Sequence, residues 1–248
     1  MTTLAVAALL TFALTTLFSM AGVGAALILI PVFLAFGIEL HTAMATALLL
    51  NAVGMSVASV TFVRKGLVEW RLVLPMLVLA VGLSPVGVWA AHGMNRAPLL
   101  WLFVGFLLFA AGMMLLYRPK PRPTQASLVA TLALGLPVGG VAGFIGGLLG
   151  VGGGNIIVPA LVAAGVQPQR ASASASFVVI FASISGFLAH VQVARIDTGL
   201  LVVTALATIA GAALGAWLAT ERLSGPQLKR IIAVVLIAVA AKTAWDLL

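Results

Sequence analysis

The chain has 248 residues, 63% of them hydrophobic and only 7% charged, with a mean hydropathy of +1.26. A soluble domain carries about 25% charged residues, so this is the composition of an integral membrane protein. The net charge of +8 is not read as a nucleic-acid signal, because Lys and Arg gather in the cytoplasmic loops of membrane chains for topological reasons. With no cysteine there is no disulfide framework, thiolate chemistry or Cys-based metal or haem site. No metal or other cofactor is expected, and the partners called for are a lipid bilayer and a small solute.

The first apolar segment, 4–36, opens on "MTTLAVAALLTFALTTLFSMAG", which lacks the basic stretch of a signal peptide. It is too long for one crossing: thirty-odd helical residues would reach roughly 50 Å, against an apolar core of about 30 Å. It carries Gly22 and Gly24 ahead of Pro31, in "SMAGVGAALILIPVF", and both residue types break helices. Segment 42–63 follows with polar early turns, "HTAMATALLLNAVGMS". Thr42 and Thr46 share a face, and Asn51 is placed about 15 Å deep, near the midplane. Thr46 and Asn51 are therefore candidate solute ligands; the plainer reading is that such groups bond to their own backbone or knit helices together. Segments 72–91 and 98–117 have the length of single spans. Pro75 and Pro85 are expected to kink or start helices, and Trp70, Trp89 and Trp101 to anchor at the interface.

A basic, proline-rich linker, 118–126, then separates a first repeat, 1–117, from a second, 127–248. At a shift of 128 the halves align: Pro31 falls on Pro159, Glu69 on Asp197, and Trp89 on Trp217. The second long segment, 127–165, holds "GLLGVGGGNIIVPAL". Gly152, Gly153, Gly154 and Asn155 there would present free backbone N–H groups at a helix N-terminus, which binds anions; the alternative is that the glycines only permit close packing. The next segment, 171–190, begins "QRASASAS", which supplies Arg170, Ser172, Ser174 and Ser176. Arg170 is either an anion ligand or a topology charge. Segments 199–219 and 229–245 complete the repeat.

His41, His92 and His190 all fall near segment ends. Without a carboxylate at depth they read as interfacial residues rather than as a proton relay. The five acidic residues, Glu39, Glu69, Asp197, Glu221 and Asp246, also lie at segment ends. Cation transporters place Asp or Glu within the span, so a solute held here by amides, hydroxyls and helix ends is anionic or neutral.

Two topologies follow from the long segments. If each is one crossing, the halves are parallel and the basic residues divide 8 against 5, a weak bias. If each is a hairpin turning at its glycines, the halves are inverted. Only Arg96, Arg195 and Lys242 then lie on one side, with the remaining Lys and Arg, of 13 in all, on the other. The positive-inside rule favours the hairpins. The expected fold is an all-α integral membrane protein whose two homologous halves each comprise a re-entrant helical hairpin and three transmembrane helices, as inverted-topology repeats.

The glycine-rich stretch before a proline, present as "GLLGVGGGNIIVPAL" and more weakly as "SMAGVGAALILIPVF", resembles the sulfite exporter TauE/SafE family, and the resemblance covers essentially the whole chain. It implies a multi-pass transporter of the bacterial inner membrane, without catalytic activity, moving sulfite, a sulfonate or a related small anion, often outward. A proton as coupling ion and a homodimer are compatible with it. Ala25 and Ala26 depart from the pattern, standing where the second stretch has Gly153 and Gly154. The candidate substrate ligands are Gly22, Gly24, Thr46, Asn51, Gly152, Gly153, Gly154, Asn155, Arg170, Ser172, Ser174 and Ser176. The alternatives are a channel-like facilitator, a scaffold, and an intramembrane serine hydrolase; the last is disfavoured because Ser176 and His190 stand about 20 Å apart along one helix.

Overall fold

The structure is a computed structural model and describes residues 2–20, 23–116, 128–191, 194, 197–221 and 225–247. Gly22, Arg195 and the 118–126 linker lie outside the described residues. All described secondary structure is helical: α1 (Thr2–Met20), α2 (Ala26–Ala35), α3 (Leu40–Arg64), α4 (Trp70–His92), α5 (Arg96–Leu116), α6 (Leu128–Leu148), α7 (Gly154–Ala163), α8 (Pro168–His190), α9 (Thr198–Glu221) and α10 (Gly225–Trp245). Six of these, among the described residues, are long and apolar enough to cross a membrane, while α2 and α7 are 10 residues each. The long first segment of each half is thus broken where its glycines lie.

The direction of each break follows from packing. Gly139, Gly143 and Gly147 of α6 lie in turn against Met76, Ala80 and Ser84 of α4, so these helices run parallel. Gly211 and Gly215 of α9 lie against Phe12 and Thr16 of α1, again parallel. Asn51 of α3 bonds Ser183 of α8, and Leu48 meets Gly186, so α3 and α8 run antiparallel. The end of α8 at His190 meets the start of α3 at His41, and α9 departs from that same end. Since α1 runs with α9, it enters from the end at which α3 begins, and α2 returns there. By the same reasoning α6 and α7 form a hairpin from the opposite end, where Glu69 bonds Arg170. Each element and its counterpart 128 residues on therefore enter from opposite ends.

The local chemistry that makes these turns recurs at the same shift. The Val23 N–H donates to the Phe18 carbonyl at 3.4 Å, and the Val151 N–H to the Gly146 carbonyl at 2.8 Å. That six-to-one bond is the Schellman closure of a helix C-terminus. At the other end of each short helix, the Ile38 N–H donates to Phe33 and the Val166 N–H to Leu161.

Two apolar clusters fill the interior. One surrounds α2, with Leu27, Ile30 and Phe33 against Met44, Phe103 and Leu236. The other surrounds α7 and α8, with Ile157 and Leu161 against Met55, Phe62, Val73 and Val179. Trp89, Trp217 and Trp245 are exposed, facing outward with Leu74, Val78 and Leu206. Lipid tails are as apolar as these side chains, so close van der Waals packing rather than burial from water holds such helices together. Small residues along α4–α6 and α9–α1 allow that approach.

The start of α3 is fixed by Glu39, whose carboxylate accepts the N–H groups of His41 and Thr42, each at 3.0 Å. Partial burial alone would raise this carboxyl, but those two bonds and the His41 ring outweigh it and hold it at about 2. The carboxylate's contribution is complete above about pH 4.5 and is lost as pH falls through about 2. Glu39→Gln is expected to destabilise the protein by about 1 kcal/mol at pH 7. Thermal unfolding measured at pH 7 and again near pH 3 checks this: the deficit should narrow in acid.

Candidate functional site

Both hairpin tips end at one place, near the middle of the α3–α8 crossing. Asn51 sits there, buried, eleven positions into α3. Its side-chain Nδ2 donates to Ser183 Oγ at 3.0 Å, and its Oδ1 accepts the backbone N–H of Ala26 at 3.4 Å. Ala25 precedes α2 and has no side chain to cap it. Asn51 therefore serves as a cap from a different helix. This also accounts for Gly24: a Cβ there would collide with the Asn51 amide.

The second tip approaches the same amide. A Cβ on Gly152 would stand 2.6 Å from Asn51 Nδ2 and 2.5 Å from Ser183 Oγ, and Gly152 has φ +76°. The glycines of both tips thus face the same pair. They allow close approach, and what they approach is a buried polar pair rather than an apolar surface.

The tips are not copies. Ala25 is right-handed, with φ −90°, whereas its counterpart Gly153 is left-handed, with φ +78°. No acceptor within the described residues takes the Gly154 or Asn155 backbone N–H, whereas Ile156 and Ile157 both donate to the Gly153 carbonyl. The Asn155 side chain is 3% exposed, and neither its Oδ1 nor its Nδ2 has a hydrogen-bond partner. Leaving a buried amide unpaired costs about 1–3 kcal/mol per group. Its counterpart in the first half is Leu27, also buried, so the fold does not demand an amide at that position.

The other sequence candidates lie elsewhere. Thr46 Oγ1 donates to the Thr42 carbonyl at 2.8 Å and Ser176 Oγ to the Ser172 carbonyl at 2.8 Å, each within its own helix. Ser174 Oγ accepts the Glu69 N–H at 2.9 Å. Arg170 pairs with Glu69 at 2.6 Å, with both side chains about two-fifths exposed, and stands about 20 Å along α8 from Ser183. The helices thus bring Gly24, Asn51 and Gly152 to one point, with Asn155 in the first turn of the adjoining α7. Arg170, Ser172 and Ser174 are held at the far end.

Two features were not legible in the sequence. Ser183 carried no motif and is recognised only through its bond to Asn51. The three histidines, read as separate interfacial residues, form one cluster: the ring centres of His41 and His92 are 5.1 Å apart, as are those of His92 and His190. Residues 41, 92 and 190 are the near ends of three different helices, and no spacing in the chain reveals that.

Comparison with known proteins bears on this arrangement. Residues 7–243 match the family described as Sulfite exporter TauE/SafE. The chain is 22% identical over 248 residues to a probable membrane transporter protein, YunE, of Bacillus subtilis, covering 89% of this chain and 88% of the relative. It is 26% identical over 211 residues to a probable membrane transporter protein, y4hK, of Sinorhizobium fredii, covering 81% of each. A shorter stretch of 47 residues is 51% identical to Sulfite exporter TauE/SafE family protein 6 of Arabidopsis thaliana, covering 18% of this chain and 11% of that one. No solved structure matches the chain. With a family match across nearly its whole length and a multi-pass helical fold, the chain belongs to the TauE/SafE family of membrane transporters.

Proposed function

We propose that this protein is a secondary transporter that carries a small anion, sulfite or a short sulfonate, across the bacterial inner membrane, by preference outward. The halves act as inverted repeats, and the anion binds where the N-termini of α2 and α7 meet the α3–α8 crossing. The single observation that carries this is the buried Asn155, with both polar atoms unpaired, in the first turn of a helix whose leading N–H groups find no acceptor among the described residues. An oxyanion answers that deficit: its oxygens accept from the amide and backbone N–H groups, and the helix dipole favours its charge. Discontinuous helices meeting near the midplane are the general device of secondary transporters for holding such a charge. Asn51 and Ser183 shape the site and fix the first tip against it. Arg170, engaged with Glu69, is left outside the site and is assigned to topology.

The test is sulfite flux into vesicles containing the purified protein. Wild type is expected to move sulfite faster than empty vesicles do, and Asn51→Ala to reduce that rate at least tenfold while the protein still inserts. A wild-type rate equal to that of empty vesicles overturns the reading.

A further inference from the structure

The histidine cluster takes no part in the anion site, yet it closes one end of the helices that build it. His41 lies in the first turn of α3, His92 ends α4 and His190 ends α8. His92 Nε2 lies 3.3 Å from His190 Nδ1. His41 Nδ1 lies 3.0 Å from a Glu39 oxygen. The cluster opens to solvent at His92, which is exposed, and ends at His190, which is fully buried. The Gly147 carbonyl, one residue before the end of α6, lies near the His190 ring without completing a hydrogen bond to its Nε2. The cluster therefore touches the approach to the second hairpin tip. Along the helices His190 is two turns from Ser183, about 10 Å, and His41 is about 15 Å from Asn51.

A nitrogen-to-nitrogen contact of this length needs one protonated and one bare nitrogen. One proton on the His92–His190 pair sits on an outer ring nitrogen and keeps the N–H···N bond; a second puts N–H against N–H, in two rings whose centres lie 5.1 Å and 6.0 Å from that of His41. Beside Glu39, little among the described residues of the surrounding elements offsets that charge. The helices α2, α6 and α7 carry no titratable side chain. The α5 helix begins with Arg96, which is also cationic, and Asp197 before α9 already accepts the Leu200 N–H. No group of three His, Asp or Glu among the described residues is placed to hold a metal ion, so the proton is the ligand this chemistry selects.

We propose that His41, His92 and His190, set beside Glu39 at the shared end of α3, α4 and α8, form a proton-binding site in which the second proton taken up by the His92–His190 pair breaks the bond between them and frees that end of the helices to separate. The protons enter from bulk water through His92. Titration and helix separation are properties of the chain by itself; only their use in opening the anion site rests on the transport reading.

The chain has only three histidines and no cysteine, which makes the test direct. Protein with imidazole-¹⁵N histidine, its purification tag cleaved, is titrated in lipid nanodiscs from pH 8 to pH 5. A spin label is carried at Gly93→Cys, an exposed position where a Cβ meets nothing closer than 3.6 Å. The expected result is a coupled two-step titration of His92 and His190, with midpoints more than about one pH unit apart. The label should become more mobile in the second step. His92→Gln, at the exposed member, should reduce His190 to a single step. Three independent single-step titrations overturn the proposal, and so does a two-step titration that leaves the label unmoved. Sulfite flux is not read here, so a chain that titrates as expected but carries no sulfite removes the transport reading and leaves the proton site standing.

Discussion

Gly152→Ala is expected to destabilise the protein by roughly 2–5 kcal/mol and to abolish anion binding. Two costs add. A left-handed conformation costs a non-glycine residue about 1–2 kcal/mol, and Gly152 has φ +76°. Overpacking costs a further 1–3 kcal/mol or so, because the new Cβ would stand 2.5 Å from Ser183 Oγ and 2.6 Å from Asn51 Nδ2. Neither group can retreat without breaking its bond to the other or uncapping α2. Gly37→Ala separates the two costs. Gly37 has φ +79° but nothing within 4 Å of its Cβ position, so it should lose only the backbone share, about 1–2 kcal/mol. Denaturant unfolding of both variants checks this. Equal losses in the two would show that close approach at the crossing counts for nothing.

The second large effect is expected along α6. Gly143→Leu should prevent assembly of the hairpin, whereas Gly105→Leu should leave unfolding within about 0.5 kcal/mol of wild type. Both glycines lie inside apolar helices, so propensity does not distinguish them. Contact does. A Cβ on Gly143 would collide with the Ala80 backbone, whereas one on Gly105 meets nothing within 4 Å. Helices that pack backbone to backbone cannot admit a leucine without moving apart by several ångströms, which would forfeit contacts along the whole α4–α6 interface. Detergent-resistant folding and gel filtration of the two variants read the difference; a well-folded Gly143→Leu would mean that α6 is not held as closely as described.

Much of this architecture was legible in the sequence because its causes are local. Thirty apolar residues cannot stay helical and fit a bilayer, so the breaks at Gly24 and Gly152 follow from length and composition. The shift of 128 that aligned Pro31 with Pro159 also aligns the Schellman closures at Val23 and Val151. Asn51 stood out because an amide is costly at that depth.

What stayed hidden depends on contacts between distant segments. Ser183 looks like Ser172 or Ser176 in the chain and differs only in facing Asn51 across the crossing. Arg170 drew attention as a cation beside a hairpin, but Glu69, which holds it, comes from the other half. The repeat itself also misleads in one respect. Gly143 and Gly147 have Thr15 and Ser19 as counterparts, so one half packs through glycine where the other packs through small hydroxyl residues. Symmetry of position is not symmetry of chemistry, and the same holds at the tips, where Asn155 replaces Leu27.

That last difference gives the most direct test of the anion site. Thermal unfolding of the purified protein is measured with and without sulfite, a short sulfonate and a short carboxylate, for wild type and for Asn155→Leu. The variant carries the residue that the first half already uses, so it should fold. A ligand bound to the folded state raises the melting temperature. Wild type is expected to be stabilised by at least one of the sulfur anions, and Asn155→Leu to be more stable at rest and unresponsive to all three. A variant that responds to sulfite as wild type does would show that the paired helix ends are a packing device and that the anion binds elsewhere.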